Sequence, residues 1–115
     1  MEVKAVAKDI GIPPRKVRLV IDLVRGKRID EALNLLKFTP TPTAKVVAKV
    51  VKSAAANAET NFQLTPADLK IVKIFADEAR TMKRYRPGTR GRVSPVIKRS
   101  SHITVIVAEE EEIGS

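Results

Sequence analysis

The chain has 115 residues, 43% of them hydrophobic, and 22 Lys or Arg against 13 Asp or Glu, a net charge of +9. That length allows one domain, or one domain with an arm, around an aliphatic core, since there is no Trp, one Tyr and three Phe. The absence of Cys excludes disulfides and thiolate metal sites, and no apolar run approaches the roughly 18 residues of a membrane span.

Residues 2–10 alternate, with Val3, Ala5 and Ala7 against Glu2, Lys4, Val6 and Lys8, and predict a half-buried strand rather than a signal peptide. Gly11-Ile12-Pro13-Pro14 breaks it. Pro14 suits the first turn of a helix, where its missing N–H is no loss. That helix is expected to run to about Arg25, with Val17, Val20, Ile21 and Val24 as its apolar face and Gly26 as its stop. Arg15, Arg18, Asp22 and Arg25 fall on the opposite side.

Asp30 is the expected N-cap of a second, short helix ending near Phe38, with Ala32, Leu33, Leu35 and Leu36 as a wide apolar stripe. Thr39-Pro40-Thr41-Pro42 connects it to a third helix, with Thr41 as cap and Pro42 in the first turn. The third helix runs from about Pro42 to Thr60 and buries Val46, Val47, Val50, Val51, Ala54, Ala55 and Ala58. Lys45, Lys49 and Lys52 form a basic ridge on it, read first as a solvated face. From Leu69 the period changes to two. Leu69, Ile71 and Phe75 are expected on one face of a strand and Lys70, Val72 and Ile74 on the other, with Lys73 as an interruption.

Residues 79–108 carry the strongest signal. They hold Arg80, Lys83, Arg84, Arg86, Arg90, Arg92, Lys98 and Arg99 and no Asp or Glu, which leaves 14 basic against 13 acidic residues elsewhere. Arg86-Pro87-Gly88-Thr89-Arg90-Gly91-Arg92 reads as a turn between two strands, and Ile103, Val105 and Val107 alternate on the return. The result is a β-hairpin arm at about residues 79–102, with a packable apolar base and a basic far end that holds only Met82, Val93, Val96 and Ile97 as apolar residues. Ten projecting residues at about 3.3 Å each give an arm on the order of 30 Å. Eight like charges in one extended element need a polyanion to neutralise them, and nucleic acid is the first candidate. The single domain is expected to end near residue 108, and 109–115 to be an acidic, disordered tail.

Other residues add to this reading. Arg15-Lys16-Val17-Arg18 lies at a helix start, where the dipole also favours an anion. Tyr85 is suited to stack on a base or to pack across the hairpin. His102, the sole histidine, suits a structural or phosphate-contacting role. Asp77 and Glu78 are adjacent on a strand, point to opposite faces and cannot share a metal. There is no Ser/His/Asp set, no Gly-rich phosphate loop with Lys and no zinc-ligand spacing, so neither catalysis, a metal nor a cofactor is expected.

Several motifs in order resemble one family: Pro14-Arg15-Lys16-Val17-Arg18, Asp22-Leu23-Val24-Arg25-Gly26-Lys27, Ser53-Ala54-Ala55-Ala56-Asn57-Ala58, Asp77-Glu78, Lys83-Arg84, Arg90-Gly91-Arg92 and Lys98-Arg99-Ser100-Ser101-His102-Ile103-Thr104-Val105. Up to about Val107 the chain resembles the bacterial-type large-subunit ribosomal protein twenty-two family. The resemblance implies an α+β domain, three helices on a three-stranded antiparallel sheet, with a long protruding basic hairpin. It implies a cytoplasmic protein of the large ribosomal subunit that binds its ribosomal RNA, aids early subunit assembly and lines the nascent-polypeptide exit tunnel with its hairpin tip, and is linked through that tip to macrolide susceptibility. Its partners would be large-subunit ribosomal RNA, neighbouring large-subunit proteins and the nascent polypeptide, with no membrane. Carried over by position, Arg15, Lys16, Arg18, Arg25 and Lys27 match a basic motif of the first helix. Arg80, Lys83, Arg84, Tyr85, Arg86, Arg90, Arg92, Lys98, Arg99 and His102 would contact RNA, and Pro87, Gly88, Thr89, Arg90 and Gly91 would face the tunnel. Pro13 departs from the Ser or Thr common before the matching Pro, so a side-chain cap is lost there. The second reading is a DNA-architectural protein, because Pro87 near the tip of a basic β-arm would suit a minor-groove wedge. Against it, such arms work in pairs, and the sequence offers no obvious apolar dimer face.

Overall fold

The computed structural model describes residues 2–79, 82–87 and 93–109, with side chains for 2–79 and 99–109. The order is β1 (Glu2–Ile10), α1 (Pro14–Val24), α2 (Ile29–Phe38), α3 (Pro42–Phe62), β2 (Leu69–Glu78), β3 (Met82–Pro87), β4 (Val93–Lys98) and β5 (Ser101–Glu109), with a short 3-10 turn over Pro66–Asp68 before β2. β1, β5 and β2 form an antiparallel sheet with β5 in the centre, while β3 and β4 form a separate two-stranded ribbon. This is the expected α+β architecture.

The helices form where period and caps agree. α1 starts with Pro14 at its first position, has Pro13 at the cap with no side-chain hydrogen bond, and buries Pro14, Val17, Val20, Ile21 and Val24. Gly26 follows its end at φ +77°, a left-handed conformation that strains any residue with a Cβ. α3 is capped as expected: the Thr41 hydroxyl accepts from the Ala44 N–H at 3.3 Å, with Pro42 at the first helical position. It closes with Gln63 in the left-handed region at φ 54°. α2 departs from expectation. It begins at Ile29 with Arg28 at the cap, so Asp30 and Glu31 lie in the first turn, where their charges favour the dipole without capping it. Its stripe is also narrower: Ile29, Ala32 and Leu36 are buried, Leu33 is half-buried and Leu35 is exposed.

All three helices contact the sheet. Register builds the core as rows across three strands: Val3–Val107–Ile71, Ala5–Val105–Ile74 and Ala7–Ile103–Ala76. Ile71, Ile103, Val105 and Val107 are fully buried, and full burial of each such side chain contributes about 1.5–3 kcal/mol. In β2 the alternation breaks. The register shifts between Ile71 and Lys73, leaving Val72 as the extra residue of a β-bulge. Beyond it Ile74 and Ala76 are buried and Phe75 is exposed, which reverses the faces expected for Ile74 and Phe75. The interruption at Lys73 is the sequence trace of that bulge.

The ribbon β3–β4 makes its substantial contacts within itself. Its pairs run from Met82–Lys98 at the root through Arg84–Val96 to Pro87–Val93. The principal-axis extents of 63 × 26 × 22 Å show a molecule more than twice as long as it is wide, and its radius of gyration of 17.2 Å exceeds the roughly 13–14 Å of a compact chain this size.

Candidate nucleic-acid interface

The free edge of β2 explains how α1 is held. An edge strand leaves carbonyls without ladder partners. Arg18 Nη2 donates to the Ala76 carbonyl at 3.0 Å, and Arg25 Nη2 donates to the Ile74 carbonyl at 3.1 Å. Arg25 Nη1 also donates to Asp22 Oδ1 at 2.8 Å, an exposed pair worth about 0–1 kcal/mol. Further along, the Ile71 N–H donates to the Lys27 carbonyl at 2.9 Å, and Arg28 bridges to Lys70. Arg18, Arg25 and Lys27, placed by sequence among the RNA-binding residues, thus also tie the helix to the sheet edge. Each guanidinium carries five N–H donors, so one or two internal bonds leave capacity for an outside anion.

Arg15 and Lys16 are exposed in the first turn of α1. An open cleft of about 440 Å³ at this helix start is lined by Pro13, Pro14, Arg15, Arg18, Glu78 and Arg99. The chain thereby brings residues separated by more than 80 positions to one place: the first-helix basic motif and the last Arg of the basic stretch meet where the ribbon leaves the domain. Among the described residues, Glu78 is the one carboxylate in that lining.

The root is fixed from within. Ala79 N–H donates to the Ser100 carbonyl at 2.9 Å, continuing the β2–β5 ladder outward. Ser101 is fully buried and its hydroxyl donates to the Ile12 carbonyl at 2.5 Å, pinning the loop before α1 to the start of β5. His102 Nδ1 accepts from the Asp9 N–H at 3.1 Å, at the β1 irregularity where Asp9 has φ 55°. That bond places the proton of the neutral ring on Nε2 and leaves that nitrogen as its remaining donor. The sequence pointed to a structural or phosphate-contacting His102, and the structural contact is the one seen.

Lys83, Arg84, Tyr85, Arg86 and Pro87 lie on β3 and Lys98 on β4. Arg80, Gly88, Thr89, Arg90, Gly91 and Arg92 lie outside the described residues, as does the tail beyond Glu109. Glu109 itself is the last residue of β5. Sequence reasoning missed the clamping role of Arg18 and Arg25, because only the tertiary position of the β2 edge reveals it. Among the described residues no group of three or more His, Asp or Glu could hold a metal.

A family model for ribosomal protein L22p/L17e matches residues 5–108. The chain belongs to the ribosomal protein L22p/L17e family. The large ribosomal subunit protein uL22 of Dehalococcoides mccartyi strain BAV1 is 68% identical over 109 residues, covering 95% of this chain and all of that relative. Its counterpart in another strain of the same organism is 66% identical over the same length. The uL22 of Pediococcus pentosaceus is 54% identical over 109 residues, covering 95% of this chain and 92% of that relative. The L22p/L17e match spans both the domain and the ribbon, and it makes this chain a ribosomal protein rather than an enzyme. The DNA-architectural reading gives way to it.

Proposed function

We propose that this protein is a structural constituent of the large subunit of the cytoplasmic ribosome, and that it works by holding segments of large-subunit ribosomal RNA in register. One observation carries the reading. Eight uncompensated cations fall within residues 79–108, four of them (Lys83, Arg84, Arg86 and Lys98) on a ribbon that packs on itself, and at its root Arg99 shares a cleft with Arg15 and Arg18. A ribbon of that charge is satisfied by phosphates, and the cleft offers a second anchoring point where the ribbon meets the domain. Arg suits this role because its planar fork binds phosphate bidentately and its face stacks on bases.

Neutralising several RNA segments at once is what an early-assembling protein needs, so the same ribbon supports a role in subunit assembly. The site residues are Arg15, Lys16, Arg18, Arg25 and Lys27 on and after α1, Lys83, Arg84, Tyr85 and Arg86 on β3, Lys98 on β4, and Arg80, Arg90, Arg92, Arg99 and His102 around them. Residues 87–91 form the tip, which lines the exit tunnel and meets the nascent polypeptide. Neighbouring large-subunit proteins complete its surroundings. The domain ends near residue 108, and the acidic tail follows.

The test is the salt dependence of binding to large-subunit ribosomal RNA. Each phosphate contact adds about 0.9 to the slope of log affinity against log salt on a duplex and about 0.7 on a single strand. A steep slope is expected, and the triple variant Arg84→Ala, Arg86→Ala, Lys98→Ala should lower it by about 2–3. An affinity that hardly changes when salt is raised fourfold defeats the electrostatic reading. Preference for bent duplex DNA over structured ribosomal RNA would restore the DNA-architectural alternative.

A further inference from the structure

The sheet has two faces, and only one meets the helices. Register fixes what lies on the other. Its rows are Glu2–Ala108–Lys70, Lys4–Ile106–Lys73 and Val6–Thr104–Phe75, followed by His102 opposite Asp77. The middle of this face is a short apolar strip. Phe75 and Val6 stand 37% and 42% exposed on either side of Thr104, which they help bury to 5%. In the next row Lys4 and Lys73 flank Ile106. Lys8 follows on β1 at the same alternation and is exposed. The charged groups facing this surface are Lys4, Lys8, Lys70 and Lys73 against Glu2 and Asp77, which lie towards its two ends.

The β2 bulge creates this surface. Without the extra residue Val72, Phe75 would point into the core and Ile74 outward. The chain instead places its only phenylalanine within the sheet on the open side, with lysines one row away. Rows on the same face are separated by two residues, about 7 Å, and adjacent strands by about 4.8 Å. A planar group lying on Phe75 therefore has Lys73 and Lys4 within reach of its attached anionic chain.

We propose that the open face of the β1–β5–β2 sheet is a second RNA-binding surface, on which an unpaired nucleotide stacks on Phe75 while Lys4 and Lys73 hold flanking phosphates. This rests on the reading of the protein as an RNA binder and adds a surface distinct from the ribbon and the α1 cleft. The composition selects the occupant. The core of a protein–protein interface excludes Lys and needs a wider apolar patch than Val6, Phe75 and part of Ile106 provide. An aromatic ring set among lysines matches single-stranded RNA, whose bases offer flat faces and whose backbone offers charge at short intervals. A loop or bulge is the required target, because a base within a duplex is already stacked.

The experiment uses the full chain and large-subunit ribosomal RNA containing 4-thiouridine. After irradiation and digestion, a nucleotide adduct is expected on the tryptic peptide 74–80, at Phe75. Phe75→Ala should bind the same RNA about tenfold more weakly. Phe75→Leu keeps an apolar group beside Thr104 without an aromatic face, and should lose most of the same affinity while unfolding at the wild-type urea midpoint. Lys4→Ala with Lys73→Ala should lower the salt slope by about 1.4, two single-strand phosphate contacts. Adducts confined to α1 and ribbon peptides, or wild-type affinity in both Phe75→Leu and the double Lys variant, overturn the sheet surface and leave the ribbon reading intact. Cross-linking of peptide 74–80 to a neighbouring protein rather than RNA in reconstituted subunits overturns it in favour of a protein contact. A wild-type chain whose RNA affinity ignores salt refutes the ribbon reading, while the adduct at Phe75 would still stand.

Discussion

The domain and the ribbon are held by opposite means. In the domain, three rows of Val, Ile and Ala cross a sheet covered on one face by helices, and nine Asp or Glu are interspersed among its 14 Lys or Arg. The strands of the ribbon carry Lys83, Arg84, Arg86 and Lys98 without a carboxylate, and they make their substantial contacts with each other. One region is stable through what it buries from water. The other, in the function proposed, is neutralised by an anion outside the molecule. Binding to the ribbon and folding of the domain should therefore be separable by mutation, and the points where they touch should be the places where separation fails.

The largest expected effect belongs to the domain. Ile71 is fully buried between Val107 on β5 and the outer edge held by Lys27. Ile71→Ala leaves a cavity beside the bulge and should cost about 2–5 kcal/mol, read as a lower urea midpoint. RNA affinity of the fraction still folded should be unchanged. A loss of RNA affinity without a loss of stability would mean that the two regions are coupled through β2.

The next effect falls where the regions meet. Arg18 and Arg25 donate to the Ala76 and Ile74 carbonyls of the β2 edge. Replacing either with Ala should cost about 0.5–1.5 kcal/mol, the usual net value of one such bond. Arg15→Ala removes a neighbouring cation that makes no such bond to the edge and should leave the urea midpoint within about 0.5 kcal/mol. If Arg15 and Arg18 prove equal in stability, the clamp contributes nothing measurable.

How much of this was legible in the sequence follows from the range of each interaction. The helix ends were legible because caps are local: Pro14, Gly26, Thr41 and Pro42 all act within a turn of where they stand. The start of α2 was not, because Asp30 looks like a cap until neighbouring structure sets Arg28 in that position. The ribbon was legible as uncompensated charge, which needs no tertiary information. The face of Phe75 was misread because one inserted residue inverts every later side chain, and only Lys73 hinted at it. The cleft joining Arg15, Arg18 and Arg99 could not be read, since chain return through β5 brings them together.

The smallest expected effect is the sharpest test of the division. Pro87 and Val93 are the last pair of the ribbon, so residues 88–92 connect its strands. Removing 87–91 and setting Arg92→Asn and Val93→Gly leaves a two-residue connection between Arg86 and Ser94, which are themselves a pair. Asn-Gly supplies the positive φ angles that such a short turn requires. The deleted residues, Pro87, Gly88, Thr89, Arg90 and Gly91, include no large aliphatic or aromatic side chain. The urea midpoint should therefore stay within about 0.5 kcal/mol of wild type. Two of the eight cations, Arg90 and Arg92, are lost, so the salt slope for RNA should fall by no more than about 2. Anchoring by Lys83, Arg84, Arg86, Lys98 and Arg99 should persist, and any change in the passage of a nascent chain would then be assigned to the tip alone. Unfolding of this variant would show that the far end of the ribbon supports the domain, and the separation of the two regions would collapse.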